Sequence, residues 1–378
     1  GEYMKLAEIN HNKFEIDDDN NDVVLNSLNI GLKSYFSSYK SISENFNERT
    51  YKHIYTRRYY EEFSETILHF HHFFELILKD LLRKEEELLP LDIKCDSYKI
   101  TELIKKIPLS NDERMEFIQE ITSSKKKKKN FNTLTFNKLL NRTCKVIELK
   151  PEVNFKFIKK FQNELKELNS LRNKIWHQGK VMLKYEAFDF LIGQYILPLV
   201  KECLEVSEYK EKYRSHKIWR FNKNSLEINP FEDIIEEFKN ESPAIDKIAV
   251  LKELGRASYY SHYGKGFGSI IDSRNQSANQ LAQAELENNL STNEILKCPC
   301  CAANSLVTYT YTEITDIEEV EYEDENGNHR IEEFKDYYEY INKVKCANCG
   351  FQLNDKGIKN LKEYEFDVED YWKNIDHY

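Results

Sequence analysis

The sequence predicts a mainly α-helical chain: an α-helical bundle followed by a small β-containing segment that carries four cysteines. Three observations predict it. Apolar residues recur at steps of three and four over residues 59–89 and 155–179, the repeat of one buried helix face. The 378 residues include only 11 glycines and 7 prolines, against 24 tyrosines and 22 phenylalanines, a balance that favours helices over turn-rich sheets. Near the C-terminus, two Cys-x2-Cys pairs flank a stretch in which Thr, Tyr and Val alternate.

A chain of this length is expected to form more than one domain. Residues 1–20 read as a flexible polar arm, 21–213 as a helical domain, 214–297 as a helical connector and 298–378 as the cysteine-bearing domain. The net charge of −10 is unevenly placed. Residues 298–378 hold 8 Lys+Arg against 19 Asp+Glu, a net −11, so the rest of the chain sums to +1. An acidic segment is a poor general grip for phosphates. The best apolar window, 188–200, contains Asp189 and Pro198 and is too short to span a membrane, so no membrane partner is expected. No secretory signal is seen, with Gly1-Glu2-Tyr3 ahead of Met4 reading as a cloning remnant. Eight cysteines, four of them in tight pairs, suit a reducing compartment with a metal site, and the cytoplasm is the expected location.

In chain order, a short helix is expected over 23–40. A longer one over 59–89 has the stripe Phe63, Ile67, Phe70, Phe74, Ile77 and Leu81, and ends at Pro90. His69, His71 and His72 sit on it, read as packed histidines more readily than as metal ligands, since no third ligand is apparent. Glu75 and Lys79 form an i,i+4 pair on the same helix. Further helices are expected over 99–106, 111–121 and 135–149. Between the last two lie five consecutive lysines, 125–129, either a solvated loop or an electrostatic hand for RNA backbone. A helix over 184–213 completes the bundle. Beyond it, 231–238, 243–254 and 270–289 look helical, and 258–268 is a loop rich in glycine and aromatics. No strand precedes that loop and no Gly-Lys-Ser/Thr follows, so a nucleotide site there is not expected.

The helix over 155–179 ends in Leu171-Arg172-Asn173-Lys174-Ile175-Trp176-His177-Gln178-Gly179. Its apolar series Ile158, Phe161, Leu165, Leu168 continues onto Arg172 and Ile175, so a guanidinium falls where a leucine is expected. His177, whose ordinary pKa lies nearest neutrality, follows five residues on, and Gly179 stands where a left-handed cap is usual. Taken alone, these residues allow a bland reading, in which Leu171 and Trp176 take over the core while Arg172 and His177 are solvated. The segment also resembles the Arg-x(4–6)-His signature of the HEPN superfamily, α-helical proteins in which Asn, Asp or His often follows the arginine. The match is Arg172, Asn173 and His177, and the resemblance extends over roughly residues 21–213. It implies a HEPN-like bundle and metal-independent endoribonuclease activity. It also implies a homodimer with a composite site, and a role as a toxin or abortive-infection effector in antiviral defence. Many members carry Glu-x3-Lys on an earlier helix facing the motif, which Glu75 and Lys79 fit. The resemblance casts Arg172 and His177 as catalytic, Asn173 as orienting the phosphate or the histidine, and Glu75 as positioning Arg172 or polarising the site. The partners implied are RNA (tRNA among the candidates), a second copy of the chain, and a phage or host protein as trigger. The rival reading is a non-catalytic bundle that binds nucleic acid or protein.

Cys298-Pro299-Cys300-Cys301 and Cys346-Ala347-Asn348-Cys349-Gly350 form two knuckles. Two sulfurs separated by two residues can meet one ion on a tight turn, and two such turns supply four thiolates. Residues 306–314 alternate as a strand, and Asn326-Gly327 offers a hairpin turn. The segment resembles a zinc ribbon with a long insert. Cys298, Cys301, Cys346 and Cys349 are the expected ligands of a structural Zn2+, with Cys300 a bystander. Cys95, Cys144 and Cys203 are expected in the core.

Overall fold

The computed structural model describes residues 22–45, 55–92, 97–105, 112, 132–179, 181–264, 268–323, 329–354, 356–364 and 372–375. The arm at 1–20, nearly all of the helix expected over 111–121, the lysine run and Cys95 lie outside them. The helices are α1 (Val23–Ser37), α2 (Arg57–Glu85), α3 (Ser97–Lys105), α4 (Phe136–Leu149), α5 (Phe157–Lys160) and α6 (Gln162–Gln178). They continue as α7 (Tyr185–Phe190), α8 (Leu197–Glu205), α9 (Ser207–Ser215), α10 (Pro230–Glu237), α11 (Ile245–Tyr260) and α12 (Gly268–Asn288). Strands β1 (Thr292–Lys297), β2 (Asn304–Glu323), β3 (His329–Cys346) and β4 (Gln352–Asn354) follow, then the short α13 (Lys356–Lys359) and β5 (Trp372–Ile375). The described chain is therefore mainly helical with an antiparallel sheet.

The helices depart from sequence expectation in two places. The helix expected without interruption over 184–213 is broken twice, by a π-helical turn at Leu191–Ile196 and by extended Val206. Gly193 lies in the π turn, and a Cβ there would sit 2.1 Å from the Phe238 ring, so only glycine lets this backbone approach so closely. The helix expected from residue 155 breaks at Phe161, whose φ of −100° and ψ of 20° separate α5 from α6.

Two compact units make up the chain, and neither is one run of sequence. The first takes in the described parts of Gly1–Gly31, Ile67–Ser170 and Cys203–His216. Its core is the aromatic stripe of α2, with Phe70, Phe73 and Phe74 buried alongside Leu139 and Leu140 of α4 and Leu165 of α6. His71 is buried there too, its Nε2 2.9 Å from Asn169 Oδ1 and its ring 4.4 Å from that of Phe136. A packed, hydrogen-bonded imidazole is what the sequence favoured over a metal ligand. Cys144 and Cys203 are buried, as expected.

The second unit takes in Leu32–Thr66, Leu171–Glu202 and the described parts of Lys217–Tyr378. Its centre is α11, in which every residue from 248 to 258 is buried, Lys252, Glu253 and Arg256 included. Charges so placed need partners, because desolvation costs several kcal/mol per ion. Lys252 Nζ donates to Asp189 Oδ1 at 2.5 Å and to the Tyr185 hydroxyl at 3.0 Å. It also lies over the Tyr35 and Tyr185 rings, 4.6 and 4.3 Å from their centroids. Burial pulls its pKa down to about 8, against the pull of Asp189, and pushes the Asp189 carboxyl up. Glu253 accepts two bonds from Arg256, at 2.6 and 2.7 Å, and one from the Gln352 backbone N–H at 2.7 Å. Arg256 Nη2 in turn donates to the Gly350 carbonyl at 2.5 Å.

The sheet runs β1-β2-β3-β4, all antiparallel, with β5 added to β3 at Tyr337–Tyr340. Its long hairpin pairs Leu306 with Cys346 at one end and Glu323 with His329 at the other. The turn at Asn326-Gly327 itself lies outside the described residues.

Removing one member of the α11 pairs should cost far more than removing both. Lys252→Met strands Asp189 in the core and should lower unfolding free energy by about 3–5 kcal/mol. Lys252→Met with Asp189→Leu should recover most of that loss. Denaturant titration of the three proteins checks it.

Candidate functional site

The two cysteine knuckles have the same backbone. In each, the fifth residue donates its N–H to the first cysteine's carbonyl: Ala302 to Cys298 at 2.9 Å and Gly350 to Cys346 at 3.1 Å. Each first cysteine donates to the carbonyl one residue further on, Ala303 and Phe351, both at 2.8 Å. Both fifth residues take a left-handed φ, +61° at Ala302 and +69° at Gly350. Glycine takes that φ freely, whereas alanine there carries about 1–2 kcal/mol of strain.

These turns bring Cys298, Cys301, Cys346 and Cys349 together, all buried, with their sulfurs within 4.8 Å of one another. Cys298 and Cys349 are 3.7 Å apart and Cys301 and Cys346 3.6 Å. A disulfide would need about 2.05 Å. A tetrahedron with metal–sulfur bonds of about 2.3 Å has edges of about 3.8 Å, close to these two separations. N–H groups of Cys300 and Asn348 point at Cys298 and Cys346 Sγ, at 3.4 and 3.3 Å, and the Ser305 hydroxyl lies 3.3 Å from Cys346 Sγ. Asn348 Nδ2 donates to Cys301 Sγ at 3.4 Å. Donors around sulfurs stabilise thiolates, the form that binds metal. Burial pushes the Cys298 and Cys349 thiols up, while hydrogen bonds from Cys298, Cys301 and Cys349 hold Cys346 far below its usual range. The cluster could therefore hold a metal ion. It is the only such group of at least three His, Cys, Asp or Glu among the described residues. Cys300 stands aside, buried with its sulfur 3.6 Å from the Ser258 hydroxyl. A glycine after the second knuckle suits this turn, but residue type gives no sign of the same turn at Ala302.

The second constellation is the end of α6. Leu171 and Ile175 are buried, at 4% and 7% exposure, so Leu171 takes the core position that the apolar series assigned to Arg172. Arg172 and Asn173 are half-buried, and His177 is exposed. Arg172 Nη1 donates to Asn173 Oδ1 at 2.9 Å, and its guanidinium lies 5.7 Å from the Trp176 ring centroid. Trp176 is 66% exposed and does not serve the core. Of the bland reading, which put Leu171 and Trp176 in the core, the structure therefore keeps Leu171 and not Trp176. The helix stays regular to Gln178 and is closed by the Gly179 N–H bonding to Ile175 O at 3.0 Å, with Gly179 at φ +62°. The Tyr60 hydroxyl holds the Gly179 carbonyl at 3.0 Å. Positions 172 and 177 therefore stay about 140° apart around the axis.

Glu75 belongs to the first unit, whereas Arg172, Asn173 and His177 belong to the second. Its carboxylate bonds Lys79 at 2.7 Å and lies 3.9 Å from His71 Nδ1. Its i,i+4 pairing with Lys79 is thus a formed ion pair. Lys252 and Asp189, absent from the sequence-based site, are the most buried ion pair described, yet both are fully enclosed. Their role is to hold the core.

Two outcomes check the cysteine centre. Elemental analysis of the purified protein should find one metal ion per chain, lost in Cys346→Ser and kept in Cys300→Ser. Ala302→Gly should raise stability by about 1 kcal/mol by relieving the left-handed alanine. No helix among the described residues is long and apolar enough to cross a membrane. Comparison of the chain with family models, curated proteins and solved structures finds no match to any of them.

Proposed function

We propose that the chain is a metal-independent endoribonuclease of HEPN type whose four-cysteine centre binds a structural Zn2+ and forms a zinc-ribbon-like module. The observation that carries the reading is the end of α6, where Arg172, Asn173, Trp176 and His177 emerge from one regular helix above buried Leu171 and Ile175. An RNA 2′-hydroxyl can attack the adjacent phosphate when a base takes its proton and an acid protonates the leaving 5′ oxygen. His177 supplies either step near neutral pH. Arg172, pre-oriented by Asn173, offers a planar fork to the charge that grows on the phosphate oxygens. Trp176 presents a ring on which a base stacks. The products are a 2′,3′-cyclic phosphate and a free 5′-hydroxyl.

The divergence of Arg172 and His177 around the helix sets the assembly. One chain does not bring both to one phosphate, so the working site pairs Arg172 of one copy with His177 of another across a two-fold axis. The same divergence favours the second reading, a non-catalytic bundle that binds nucleic acid or protein. Four thiolates leave no open coordination position, so the zinc serves structure and not the reaction. The biological setting that fits is a cytoplasmic toxin or abortive-infection effector cutting tRNA or other RNA once a phage or host protein triggers it.

The deciding experiment is cleavage of total RNA and of tRNA in EDTA, with unaltered protein beside Arg172→Ala and His177→Ala. Unaltered protein should leave cyclic-phosphate ends and each variant should be inactive. Mixing the two variants should restore about a quarter of the activity, since half the dimers are mixed and each has one intact site of two. Binding without cleavage, unchanged by His177→Ala, would establish the non-catalytic module. Cleavage that survives His177→Ala would remove α6 from the reaction.

A further inference from the structure

We infer that the outer half of the β2–β3 hairpin is a docking edge for an extended, lysine- or arginine-rich segment of another protein, taken up as an added strand beside β2. The argument is independent of the RNA-cleavage reading. Three observations converge on it.

The first is an open edge. β1 covers β2 only as far as Tyr309, which faces Thr292. From Tyr311 to Val320 the other edge of β2 has no strand partner among the described residues. A row of backbone N–H and C=O groups at such an edge is a template for another strand. The sheet already takes one strand from a distant segment, since β5 pairs with β3 at Tyr337–Tyr340.

The second is exposed apolar surface. Tyr311, Ile314 and Ile317 on β2 are about half exposed, at 51%, 48% and 51%, and Ile331 on β3 is 63% exposed. Successive strand residues face opposite sides, so an added strand finds apolar contacts on both.

The third is charge, and it selects the occupant. Residues 311–323 and 329–340 hold ten carboxylates against Arg330 and Lys335. Nucleic acid and anionic membrane are repelled by such an arm. A second copy of the same edge is repelled as well, and the register shift between Ile314 and Asp316 bends the edge away from a flat match. What remains is an extended segment of opposite sign, whose apolar side chains meet Ile314 and Ile317 on one face while its cations meet Glu313 and Glu318 on the other. The arrangement keeps the arm from pairing with itself and at the same time specifies what pairs with it.

The test uses the full chain and two synthetic peptides, one alternating lysine with valine and the other glutamate with valine. Hydrogen exchange should slow over residues 311–323 with the lysine peptide alone, and its affinity should fall as salt is raised. Glu318→Lys with Glu319→Lys should weaken that binding about tenfold. Cysteine-bound metal in this variant checks that the sheet still forms. Equal binding of the two peptides would overturn the proposal, as would protection confined to another region. Protection of 311–323 by raising protein concentration alone would overturn it in favour of a second copy. Should the variant fail to fold, the two peptides on unaltered protein still decide.

Discussion

Three charged side chains on one buried helix govern the second unit. α11 is enclosed over residues 248–258, so Lys252, Glu253 and Arg256 have no water to fall back on. Their partners come from chain segments far apart in sequence: Asp189 and Tyr185 from α7, Gly350 from the second cysteine knuckle and Gln352 from β4. Leaving any of these charges unpaired costs more than most single packing contacts contribute. The helix can therefore be buried only when all of those segments are in place together. Segments that read as separate domains along the sequence thus share one core.

The cysteine centre is consequently part of that core. Its second knuckle and the adjoining β4 present the Gly350 carbonyl and the Gln352 amide to a buried Arg–Glu pair, and the Ser225 amide bonds to the Cys300 carbonyl of the first knuckle at 3.0 Å. Both knuckles use the same turn, in one case with an alanine in a conformation that suits glycine. Sulfur spacing near a tetrahedral edge, backbone donors aimed at sulfur and strain tolerated at Ala302 all accompany the convergence of four cysteine sulfurs on one point. The far half of the same hairpin obeys the opposite rule. It is exposed and acidic, with apolar side chains in water.

At the end of α6 the constraint is helical geometry itself. A buried face needs Leu171 and Ile175, and once these are inward a regular helix turns Arg172 and His177 to different sides. The Arg172–Asn173 hydrogen bond and the stacking of Arg172 near Trp176 preset the guanidinium but do not bring the histidine to it. A reaction that uses both side chains draws the second from outside the chain.

Much of this was legible in residue order. The three- and four-residue steps located α2 and the C-terminal end of α6 to within a few residues, because burial of one face writes itself directly into the spacing of apolar side chains. The four-cysteine cluster was legible for the same kind of reason, since a knuckle is a local turn with a fixed separation. The positions of Arg172, His177 and Gly179 at a helix end were equally local. What depended on tertiary structure was everything set by segments distant in sequence. Residue order could not tell that 248–258 would be enclosed, because its charged residues look like a solvated face until Asp189 and Gly350 are brought to them. Nor could it place Leu171 instead of Arg172 in the core, or expose Trp176, because adjacent helix positions differ by only about 100° and packing neighbours choose between them. Only the fold decided those, through the demand that every buried charge and every buried face find its partner.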